Sequence, residues 1–545
     1  MQIRLSQLNY HIGNFEQNVQ KIKKEIELAK NDGIELIVFS ELSVCGYPPR
    51  DFLEFEDFIL RCEAAISEIA EICIDITAIV GAPLKNTDPS GKGLFNAAFV
   101  LADGKAKQAV KKTLLPNYDI FDEYRYFEPN REFEIVEVNG IRIALTICED
   151  LWNIEDPLYI ISPMDELMKQ KPQFMINIAA SPFDFSHRED RIRILEKNAK
   201  KYELPILYTN HVGAQTELIF DGGSMALDAN GKLMHELNYF SEDSSTFSFD
   251  GSLKLTSGKA QIDSRPKIER IHDALVLGIK DYFGKLGFKT AVLGLSGGID
   301  SAIVTYLAQK ALGAENVRTL LMPSGFSSGH SVDDSVQLSK NLGTRYDIIS
   351  IENLFENFQK DLKPLFSDLP FSLAEENLQA RVRGVLLMAV SNKFGNILLN
   401  TSNKSECAVG YSTIYGDMNG GLSVIADLYK TEVYELAHWI NRDGKVIPEN
   451  IITKAPSAEL RPDQKDSDSL PEYEILDEIL IEYIENRKGP AEIIAMGHDE
   501  ALVNRILRLV NLNEYKRYQT PPILRVSKKA FGMGRRVPIV GKYLC

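Results

Sequence analysis

The segment 291-AVLGLSGGIDSAIVTYLAQKAL-312 decides the fold of the second half of this chain. Its first residues are apolar and partly β-branched, which is typical of a buried strand. They run directly into the SGGIDS turn and then into AIVTYLAQKAL, which predicts a helix. A strand, a glycine turn and a helix in succession open a doubly wound α/β domain with a parallel sheet. The apolar runs VRTLLMP, RYDIISI and NILLNTS predict its later strands.

The turn at 294–301 predicts a site for an anion. The N–H groups of Ser296, Gly297 and Gly298 can turn inward, and the helix that follows adds the positive end of its dipole. Asp300 adds an oxygen ligand of the kind that Mg²⁺ prefers beside bound phosphates. A Walker A loop is excluded, because neither GKS nor GKT occurs anywhere in the chain.

This turn resembles the pyrophosphate loop of the N-type ATP pyrophosphatases. The resemblance implies that the domain adenylates a carbonyl or carboxylate oxygen, releases pyrophosphate and lets a nitrogen or sulfur nucleophile displace AMP. Several branches of the group share the loop, so the substrate has to be inferred from other segments.

Three later segments carry polar groups that could bind such substrates. The loop MPSGFSSGHSVDDS supplies Ser327, Ser328 and Ser331, whose hydroxyls could close over a leaving pyrophosphate. In ENLQARVRG, Asn377 and Arg381 are four residues apart and share one helix face, for which a salt-bridged surface is an equal alternative. The stretch 401–430 follows a strand directly, where open α/β sheets bind ligands. Its polar residues are Thr401, Lys404, Glu406, Asp417 and Lys430.

The stretch 401–430 matches the signature region of the NAD⁺ synthetases nearly residue for residue, and 457–477 and 531–539 agree with the same family. The resemblance implies ATP-dependent amidation of deamido-NAD⁺, in which ammonia attacks an adenylated nicotinate carboxylate. It also implies a Mg²⁺ site at Asp300 and Glu406. The implied ATP contacts are Gly294, Leu295, Ser296, Gly297, Gly298, Ile299, Asp300, Ser301, Thr401 and Lys430. The implied deamido-NAD⁺ contacts are Asn377, Arg381, Glu406, Asp417 and Lys516.

The first half of the chain also alternates strand and helix patterns. Apolar runs such as TAIVGAP, NAAFVLAD and QFMINIAAS are typical of buried strands, and helical patterns occur near 56–72 and 188–202. The stretch 241–267 is rich in Ser, Asp, Gly and Lys, which predicts a connection between domains. We therefore expect domains at 1–245 and 268–545 with a linker at 246–267. A surface loop within one domain is the alternative.

The second domain needs ammonia, which is scarce at neutral pH because nearly all of it is protonated. A glutamine-hydrolysing domain would supply it, and such a domain needs a nucleophile, a base and an oxyanion stabiliser. An N-terminal cysteine nucleophile is excluded, because residue 2 is Gln.

The first half offers Cys, Glu and Lys at strand ends or in adjoining loops. Glu41 follows IVFS, Lys112 begins KTLLPNY, and Cys148 lies in ICEDLW. These stretches resemble the nitrilase superfamily, and in particular the glutamine amidotransferase domains attached to NAD⁺ synthetases. The resemblance implies an α-β-β-α sandwich with Glu41 as general base, Cys148 as the nucleophile that forms a γ-glutamyl thioester, and Lys112 as oxyanion stabiliser.

The same resemblance implies that glutamine is bound by Tyr118, Ser181 and the residue six beyond that serine, His187. That position commonly carries a basic side chain, and Arg188 follows directly, so either residue could meet the substrate carboxylate. Glu123 is a candidate for orienting Lys112, with an exposed loop acid as the alternative.

Composition limits the partners of the chain. With 61 Lys and Arg against 77 Asp and Glu in 545 residues, the net charge of −16 argues against nucleic acid and anionic membrane. No apolar run reaches the roughly 18–20 residues of a membrane span and no signal-type leader is present, so we expect a cytosolic protein. Six scattered cysteines predict neither a disulfide framework nor a zinc site. The family resemblance implies a homo-oligomer, and the use of ammonia implies a protected passage between the domains.

Two other functions would keep some of these motifs. One is an ATP pyrophosphatase that amidates a different carboxylate, and the other is a nitrilase-like amide hydrolase whose second half binds a nucleotide only as a regulator. Residues 401–430 argue against both, because they carry metal- and substrate-binding groups rather than a bare nucleotide cradle. The two resemblances together imply a glutamine-hydrolysing NAD⁺ synthetase that uses glutamine, deamido-NAD⁺, ATP and Mg²⁺.

Overall fold

The structure is a computed structural model that describes residues 1–155, 157–256, 260–327, 329–367, 369–457, 459–461, 464 and 466–544. Ser328, one of the hydroxyls predicted to close over a pyrophosphate, lies outside these residues. The chain divides into two compact units, Met1–Arg265 and Pro266–Cys545. Within the part of the chain that the structure describes, no helix is long and apolar enough to cross a membrane.

The first unit contains fifteen strands and five α-helices among its described residues. The strands are β1 (Gln2–Gln7), β2 (Leu36–Val38), β3 (Thr77–Lys85), β4 (Leu94–Ala102), β5 (Lys105–Lys111), β6 (Val136–Val138), β7 (Ile141–Ile147), β8 (Phe174–Ile178), β9 (Ile206–Thr209), β10 (Val212–Gln215), β11 (Leu218–Asp221), β12 (Met225–Leu227), β13 (Leu233–Glu236), β14 (Asp243–Phe249) and β15 (Leu253–Leu255). The helices are α1 (Phe15–Asn31), α2 (Glu56–Glu71), α3 (Glu123–Tyr126), α4 (Pro163–Leu167) and α5 (His187–Tyr202).

These elements form the four layers of an α-β-β-α sandwich, as predicted. The larger sheet has the order β15-β14-β1-β2-β3-β4-β5 and the second β13-β12-β9-β8-β7-β6, while β10 and β11 form a separate two-stranded sheet. Helices α1 and α2 cover the first sheet, while α4 and α5 pack on the second. Successive residues of β2 alternate between two apolar clusters: Leu36 and Val38 contribute to the one shared by both sheets, and Ile37 to the one under α1 and α2. This period of two is what a strand between two apolar layers requires.

The predicted linker at 246–267 needs a correction, because its first part belongs to the first sheet. β14 pairs antiparallel with β1 along the whole length of β1, and β15 pairs with β14. Phe247 and Phe249 are buried, while Ser248 between them and the alternate residues Ser244 and Thr246 are more exposed. A half-buried edge region rich in Ser has the composition of a loop, but its alternation is that of a strand.

The second unit contains five strands and twelve α-helices among its described residues. The strands are β16 (Ala291–Gly294), β17 (Val317–Leu321), β18 (Arg345–Ile348), β19 (Ile397–Asn400) and β20 (Leu422–Ser423). The helices are α6 (Lys267–Leu286), α7 (Ile299–Leu312), α8 (Gly329–Leu342), α9 (Glu352–Phe366), α10 (Leu373–Phe394), α11 (Lys404–Val409), α12 (Lys430–Ile440), α13 (Glu449–Thr453), α14 (Tyr473–Ile484), α15 (Pro490–Ala495), α16 (Glu500–Leu512) and α17 (Glu514–Arg517).

The five strands of this unit form one parallel sheet in the order β18-β17-β16-β19-β20. The chain therefore builds outward from β16 to β18 and then returns to continue with β19, which confirms the doubly wound fold. The strand order reverses between β16 and β19, and in such sheets the crevice at that point binds ligands. The predicted anion turn follows β16, and the stretch 401–430 follows β19.

Helices cover both faces of this sheet. α10 contacts β16 and β19, where Val382 packs with Val292 and Leu398. α7 contacts β16, β17, α6 and α12. α11, α14 and α16 form a further apolar cluster, to which α11 contributes Cys407, Ala408 and Val409.

Candidate active sites

A buried group of three charges lies in the first unit. The Nζ of Lys112 lies 2.7 Å from Oε1 of Glu41 and 2.8 Å from Oε1 of Glu123, and all three side chains are buried. Glu123 thus contacts Lys112 directly, as the orienting role predicts, and is not an exposed loop acid. One ammonium between two carboxylates leaves these buried side chains with an excess of negative charge.

Backbone geometry fixes Glu41 in this group. The residue after it, Leu42, has φ of +45°, and β3 passes so closely that a Cβ on Gly81 would lie 2.8 Å from the carbonyl carbon of Glu41. The amide of Ala180 donates to Oε2 of Glu41 at 2.9 Å, and the Nε2 of His211 lies 2.7 Å from its carbonyl oxygen. The carboxylate is therefore held by Lys112 at one oxygen and by a backbone amide at the other, while His211 holds the main-chain carbonyl of the same residue.

Cys148 begins a short 3₁₀ turn directly after β7. Its φ is +44°, a conformation that non-glycine residues adopt at a cost, and such strain is concentrated at functional positions. Asp150 holds the turn, because its carboxylate accepts hydrogen bonds from the amides of Ile147, Thr113 and Leu114 at 2.8–3.0 Å. One buried carboxylate therefore ties the cysteine turn to the segment that follows Lys112.

The electrostatics of the cluster favour a charged lysine and a neutral thiol. Burial alone would lower the pKa of Lys112, but Glu123 and Glu41 together hold it well above its usual value. Burial and the charge of Glu41 raise the pKa of the Cys148 thiol well above its ordinary range, and Lys112 only partly opposes this. The thiol is therefore protonated at neutral pH and needs a base to become a nucleophile.

Two further polar residues complete the cluster, and sequence reasoning missed both. Asn96 donates to Oε1 of Glu41 at 2.7 Å and to Oε2 of Glu123 at 3.3 Å, and Tyr47 donates to Oε1 of Glu123 at 2.8 Å. Asn96 lies within β4, where a buried amide in an apolar strand is itself a signal of a specific partner.

A buried carboxylate lies beside the predicted nucleophile. Glu149 accepts hydrogen bonds from the hydroxyls of Tyr118 at 2.9 Å and Tyr159 at 3.2 Å. Burial raises the pKa of Glu149 to about 7, with Lys112 opposing the shift. Sequence reasoning named Tyr118 but not Glu149, although the glutamate directly follows Cys148.

The other two predicted glutamine contacts lie together. The hydroxyl of Ser181 is 2.9 Å from Nε2 of His187, and the imidazole stacks on Trp152 with ring centres 5.1 Å apart. Arg188 points elsewhere and donates to both carboxylate oxygens of Glu236, at 3.0 and 2.6 Å. Of the two basic residues left open by the sequence, His187 is therefore the one that contacts the predicted site.

In the second unit, a cleft of about 290 Å³ opens where β16 and β19 end. Seven residues of the predicted anion turn line it: Gly294, Leu295, Ser296, Gly298, Ile299, Asp300 and Ser301. Four residues line it from the stretch after β19: Thr401, Glu406, Asp417 and Lys430. Ser327 lines it from the loop after β17, and Ser331 from the first turn of α8. Most of the residues that the sequence assigned to ATP thus share one cavity.

Gly297 is required at the turn for two reasons. Its φ is +82°, which favours glycine, and a Cβ there would lie 2.4 Å from the carbonyl oxygen of Ser331. The turn is braced internally as well, since the hydroxyl of Ser301 donates to the carbonyl of Gly298 at 3.0 Å. The turn and the first residues of α8 therefore approach each other closely through their backbones.

Two acidic residues and a lysine meet at the floor of the cleft. The Nζ of Lys430 lies 2.6 Å from Oδ2 of Asp300 and 3.3 Å from Oε1 of Glu406. Asn403 caps α11 by accepting from the amide of Glu406, and its side-chain amide donates to Asp300 at 3.0 Å. Burial raises the pKa of Glu406 to about 8 against the pull of Lys430, and the charges of Asp300 and Asp466 add to the rise. This floor carries more negative charge than its lysine neutralises.

The residues predicted to contact deamido-NAD⁺ converge on the loop 410–417. The side chain of Asn377 accepts from the hydroxyl of Thr413 at 2.7 Å, and Arg381 donates to the carbonyl of Ile414. Lys516 donates to the carbonyls of Gly410 and Ser412 at 2.7 and 2.8 Å. Asp417 lines the cleft, whereas Asn377, Arg381 and Lys516 are not among its lining residues. In this structure those three side chains support the loop.

Two other charged residues of these segments, Lys404 and Arg383, have different surroundings. Lys404, from the signature stretch, is completely buried and pairs with Asp427 at 3.0 Å and Glu485 at 2.8 Å, so it serves the structure of the unit. Arg383, which shares a segment with Arg381, does line the cleft and donates to the carbonyl of Met322. Burial lowers the pKa of Arg383 to about 10, so it remains a cation at neutral pH.

Comparison with known proteins gives matches over nearly the whole chain. The family described as carbon-nitrogen hydrolase matches residues 2–255, and the family described as NAD synthase matches residues 271–520. The glutamine-dependent NAD(+) synthetase of Synechocystis sp. is 44% identical over 547 residues, covering 98% of this chain and 98% of its own. That of Thermotoga maritima is 38% identical, covering 100% and 99%. A solved structure of the glutamine-dependent NAD⁺ synthetase from Acinetobacter baumannii, in complex with ADP, is 38% identical with a TM-score of 0.79 and covers 99% of both chains.

Proposed function

This chain belongs to the glutamine-dependent NAD(+) synthetases, and on that premise we propose how its residues divide the reaction. The enzyme makes NAD⁺ from deamido-NAD⁺ with ATP and the amide nitrogen of glutamine. Its carbon-nitrogen hydrolase half frees ammonia from glutamine, and its NAD synthase half uses that ammonia. One observation carries this division. The buried contact of Glu41 with Lys112 belongs to the unit that holds Cys148, whereas the acidic cleft belongs to the other unit.

In the first unit, Glu41 removes the proton from the thiol of Cys148, and the sulfur attacks the side-chain amide carbon of glutamine. The ammonium of Lys112 stabilises the oxyanion that forms. Glu41 then returns the proton to the amide nitrogen, so the carbon–nitrogen bond breaks, ammonia leaves and a γ-glutamyl thioester remains. Water activated by Glu41 hydrolyses the thioester to glutamate and restores the thiol. The raised pKa of Cys148 explains why a base must stand beside it.

The α-amino and α-carboxyl groups of glutamine require opposite charges from the protein. Glu149 supplies the negative charge for the ammonium, with Tyr118 beside it. Ser181 and His187 supply donors for the carboxylate. These groups let the site select a free amino acid rather than a simple amide.

In the second unit, the turn 294–301 binds the phosphates of ATP, with Thr401 and Lys430 facing the same cleft. The nicotinate carboxylate of deamido-NAD⁺ attacks the α-phosphate and pyrophosphate leaves. Ammonia then attacks the adenylated carboxyl carbon, so that AMP leaves and the amide of NAD⁺ forms. Glu406 and Asp417 face the dinucleotide in the cleft. Three further residues support the loop 410–417, through which they position the dinucleotide: Asn377, Arg381 and Lys516.

The residues at the floor of the cleft fit a Mg²⁺ ion. Asp300 and Glu406 both contact the ammonium of Lys430, so the pair already stabilises a positive charge. Burial raises the pKa of Glu406, and the charges of Asp300 and Asp466 add to the rise. Among the described residues no cluster of three Asp, Glu, His or Cys ligands occurs, so the ion would rely on these two carboxylates, phosphate oxygens and water. When bound, Mg²⁺ would neutralise charge on the phosphates of ATP.

Further parts of the proposal concern the whole protein. We propose domains at 1–255 and 268–545. The first limit moves from 245 to 255 because the first sheet continues to Leu255. We place the enzyme in the cytosol, where its nucleotide substrates are found, and propose that it forms a homo-oligomer. Sedimentation of the full chain as a monomer at working concentration would contradict the latter. Ammonia is transferred between the active sites without mixing into bulk solvent.

One assay tests the function. Purified protein receives ATP, Mg²⁺, deamido-NAD⁺ and glutamine, and NAD⁺, AMP, pyrophosphate and glutamate are followed together. We expect NAD⁺, AMP and pyrophosphate in equal amounts and glutamate in step with them. Glutamate without NAD⁺ would indicate an amide hydrolase with a regulatory nucleotide domain. AMP formation that requires a different carboxylate would indicate another amidating pyrophosphatase.

A further inference from the structure

We propose that Asn96 is a positioning residue for glutamine hydrolysis, which directs the proton of the Cys148 thiol to a single oxygen atom, Oε2 of Glu41. The inference rests on the proposed function, since it concerns the base of the glutaminase site. It gives a role to a side chain that acts through the carboxylates beside it.

The side chain of Asn96 bridges the two carboxylates of the buried cluster. Its Nδ2 donates to Oε1 of Glu41 at 2.7 Å and to Oε2 of Glu123 at 3.3 Å, and the residue is buried. The nitrogen is the atom on this side, because the amide oxygen would otherwise face two carboxylates. One NH₂ group therefore serves both anions.

Four hydrogen-bonding contacts surround the carboxylate of Glu123. The Nζ of Lys112 lies 2.8 and 2.9 Å from its two oxygens. The hydroxyl of Tyr47 donates to Oε1 at 2.8 Å, and Asn96 donates to Oε2. A carboxylate offers about four acceptor sites, so these contacts occupy Glu123 fully. Glu123 is therefore a counter-ion of Lys112 and not a base.

The carboxylate of Glu41 accepts fewer hydrogen bonds, and they are unevenly placed. Its Oε1 accepts from Lys112 and from Asn96, both at 2.7 Å, whereas its Oε2 accepts from the amide of Ala180 at 2.9 Å. Among the described residues, these are the three hydrogen bonds that the carboxylate accepts. One of its about four acceptor sites is left, and it belongs to Oε2.

The position of Ala180 shows that Oε2 is the oxygen towards the nucleophile. Ala180 follows β8, and β8 pairs with β7 so that Ile178 lies opposite Ile147, the residue before Cys148. Burial and then the charge of Glu41 raise the pKa of the Cys148 thiol, which also indicates that the two groups are close. The acceptor site that Asn96 leaves open is thus on the side of the thiol.

The other end of the Asn96 amide is unfavourable for stability. Its Oδ1 is buried and has no hydrogen-bond partner among the described residues. An unsatisfied buried oxygen costs free energy, which an apolar side chain at this position of β4 would avoid. The presence of an amide here is therefore explained by its nitrogen and the two carboxylates, and not by the packing of the strand.

These contacts define one path for the proton. The thiol proton passes to Oε2 of Glu41, and the sulfur keeps the electron pair with which it attacks the amide carbon of glutamine. Without the Nδ2 donor, Oε1 of Glu41 and Oε2 of Glu123 would each gain an open acceptor site beside Lys112. A proton held there is away from the sulfur and the leaving nitrogen, so each proton transfer would slow.

The test separates catalysis from substrate binding in the full chain. Asn96→Leu branches at the same carbon and removes the donor. It should lower kcat for glutamate release about 10- to 100-fold, the value of one hydrogen bond to a charged group. The KM for glutamine should stay within roughly threefold of the wild type, because the lost contact acts in the transition state. NAD⁺ formation from an ammonium salt should not change.

A second readout does not involve glutamine. Iodoacetamide alkylates the thiolate form of cysteine, so the alkylation rate of Cys148, followed by the mass of its peptide, reports proton removal by Glu41. We expect this rate to fall in Asn96→Leu in proportion to kcat. A site that has only loosened would be alkylated at the wild-type rate or faster and would have a raised KM, and that result would overturn the inference.

Two further variants complete the design. Asn96→Thr offers one hydroxyl in place of two N–H donors, so kcat and the alkylation rate should both fall less than in Asn96→Leu. Asn130→Leu is the matched control, because Asn130 is also buried but its side chain bonds with the backbone of Glu132. Both of its rates should stay near the wild type. Failure of both Asn96 variants to fold would assign Asn96 to stability and overturn the inference.

Failure of the proposed function has a different outcome. If glutamate release persists in Cys148→Ala, the glutaminase site itself is wrong. If release is lost in Cys148→Ala but kcat in Asn96→Leu stays close to the wild-type value, only the role of Asn96 is refuted.

Discussion

Replacing Gly81 by alanine should damage the glutaminase site without adding or removing any functional group. A methyl at this position would lie 2.4 Å from the backbone nitrogen of Leu42 and 2.8 Å from the carbonyl carbon of Glu41. Both distances are shorter than an ordinary contact of about 3.5 Å, by roughly 1 Å in the closer case. The strand and the turn cannot simply separate, because the amide of Val44 donates to the carbonyl of Gly81 at 3.2 Å and the Gly81 amide donates to Ser43.

Relief of this clash has to move the turn that carries the general base. A displacement of about 1 Å at a reacting group costs on the order of 100-fold in rate, and overpacking of this kind destabilises by about 1–3 kcal/mol. We therefore expect glutamine-driven NAD⁺ formation in Gly81→Ala to fall about 100-fold, while the rate with added ammonium salt stays near the wild-type value. The melting temperature should fall by several degrees.

The assay compares the two nitrogen donors in the same preparation. Gly93→Ala is the matched control, because a Cβ at Gly93 meets no atom within 4 Å, and it should leave both rates unchanged. Glutamine-driven turnover within twofold of the wild type would refute the reasoning. An equal loss with both nitrogen donors would refute it as well, since the damage would then not be local to the base.

Three further substitutions separate the roles of other residues. Glu149→Gln should raise the KM for glutamine roughly 10- to 100-fold. Because burial raises the pKa of Glu149 to about 7, the wild-type KM should fall as pH rises through 7. Steady-state kinetics should show that this fall of KM with pH is absent from the variant. Asp300→Asn should lower pyrophosphate release about 100-fold or more with either nitrogen donor, while glutamate release from glutamine continues. Lys404→Met leaves the carboxylates of Asp427 and Glu485 buried without their cation, so denaturant unfolding should show a loss of about 3–5 kcal/mol.

Much of the fold follows from local patterns in the sequence. The strand and glycine turn at 291–298 predict the doubly wound unit because strand, turn and helix are contiguous there. The end of the first unit was harder to predict, because β14 gains its stability from pairing with β1, more than 230 residues earlier. Composition describes the exposed serines of such a strand and cannot show its distant partner.

In the catalytic cluster, too, some residues can be predicted from local sequence and others cannot. Short motifs identify Glu41, Lys112 and Cys148, but Asn96 carries no motif. Its place beside Glu41 follows from strand pairing, since the amide of Lys112 donates to the carbonyl of Asn96 at 2.8 Å. The pairing of β4 with β5 brings Asn96 and Lys112 together, and no local pattern contains that information.

Charged residues of the signature stretch differ in their use for a physical reason. Lys430 and Glu406 line the cleft, whereas Lys404 does not line it and is buried between two carboxylates. The sequence motif contains all three residues and does not distinguish their roles. Burial and the ion-pair partners of each side chain show which charge can bind a ligand and which is structural. The same distinction separates Asp417, which lines the cleft, from Lys516, which supports the loop beside it.

The central claim is that one chain carries two separable reactions joined by ammonia. The most direct measurement compares NAD⁺ formation by Cys148→Ala with glutamine and with an ammonium salt. We predict that glutamine no longer supports NAD⁺ formation and that ammonia supports it at close to the wild-type rate. Loss of both activities in a folded variant, or continued use of glutamine, would contradict the account.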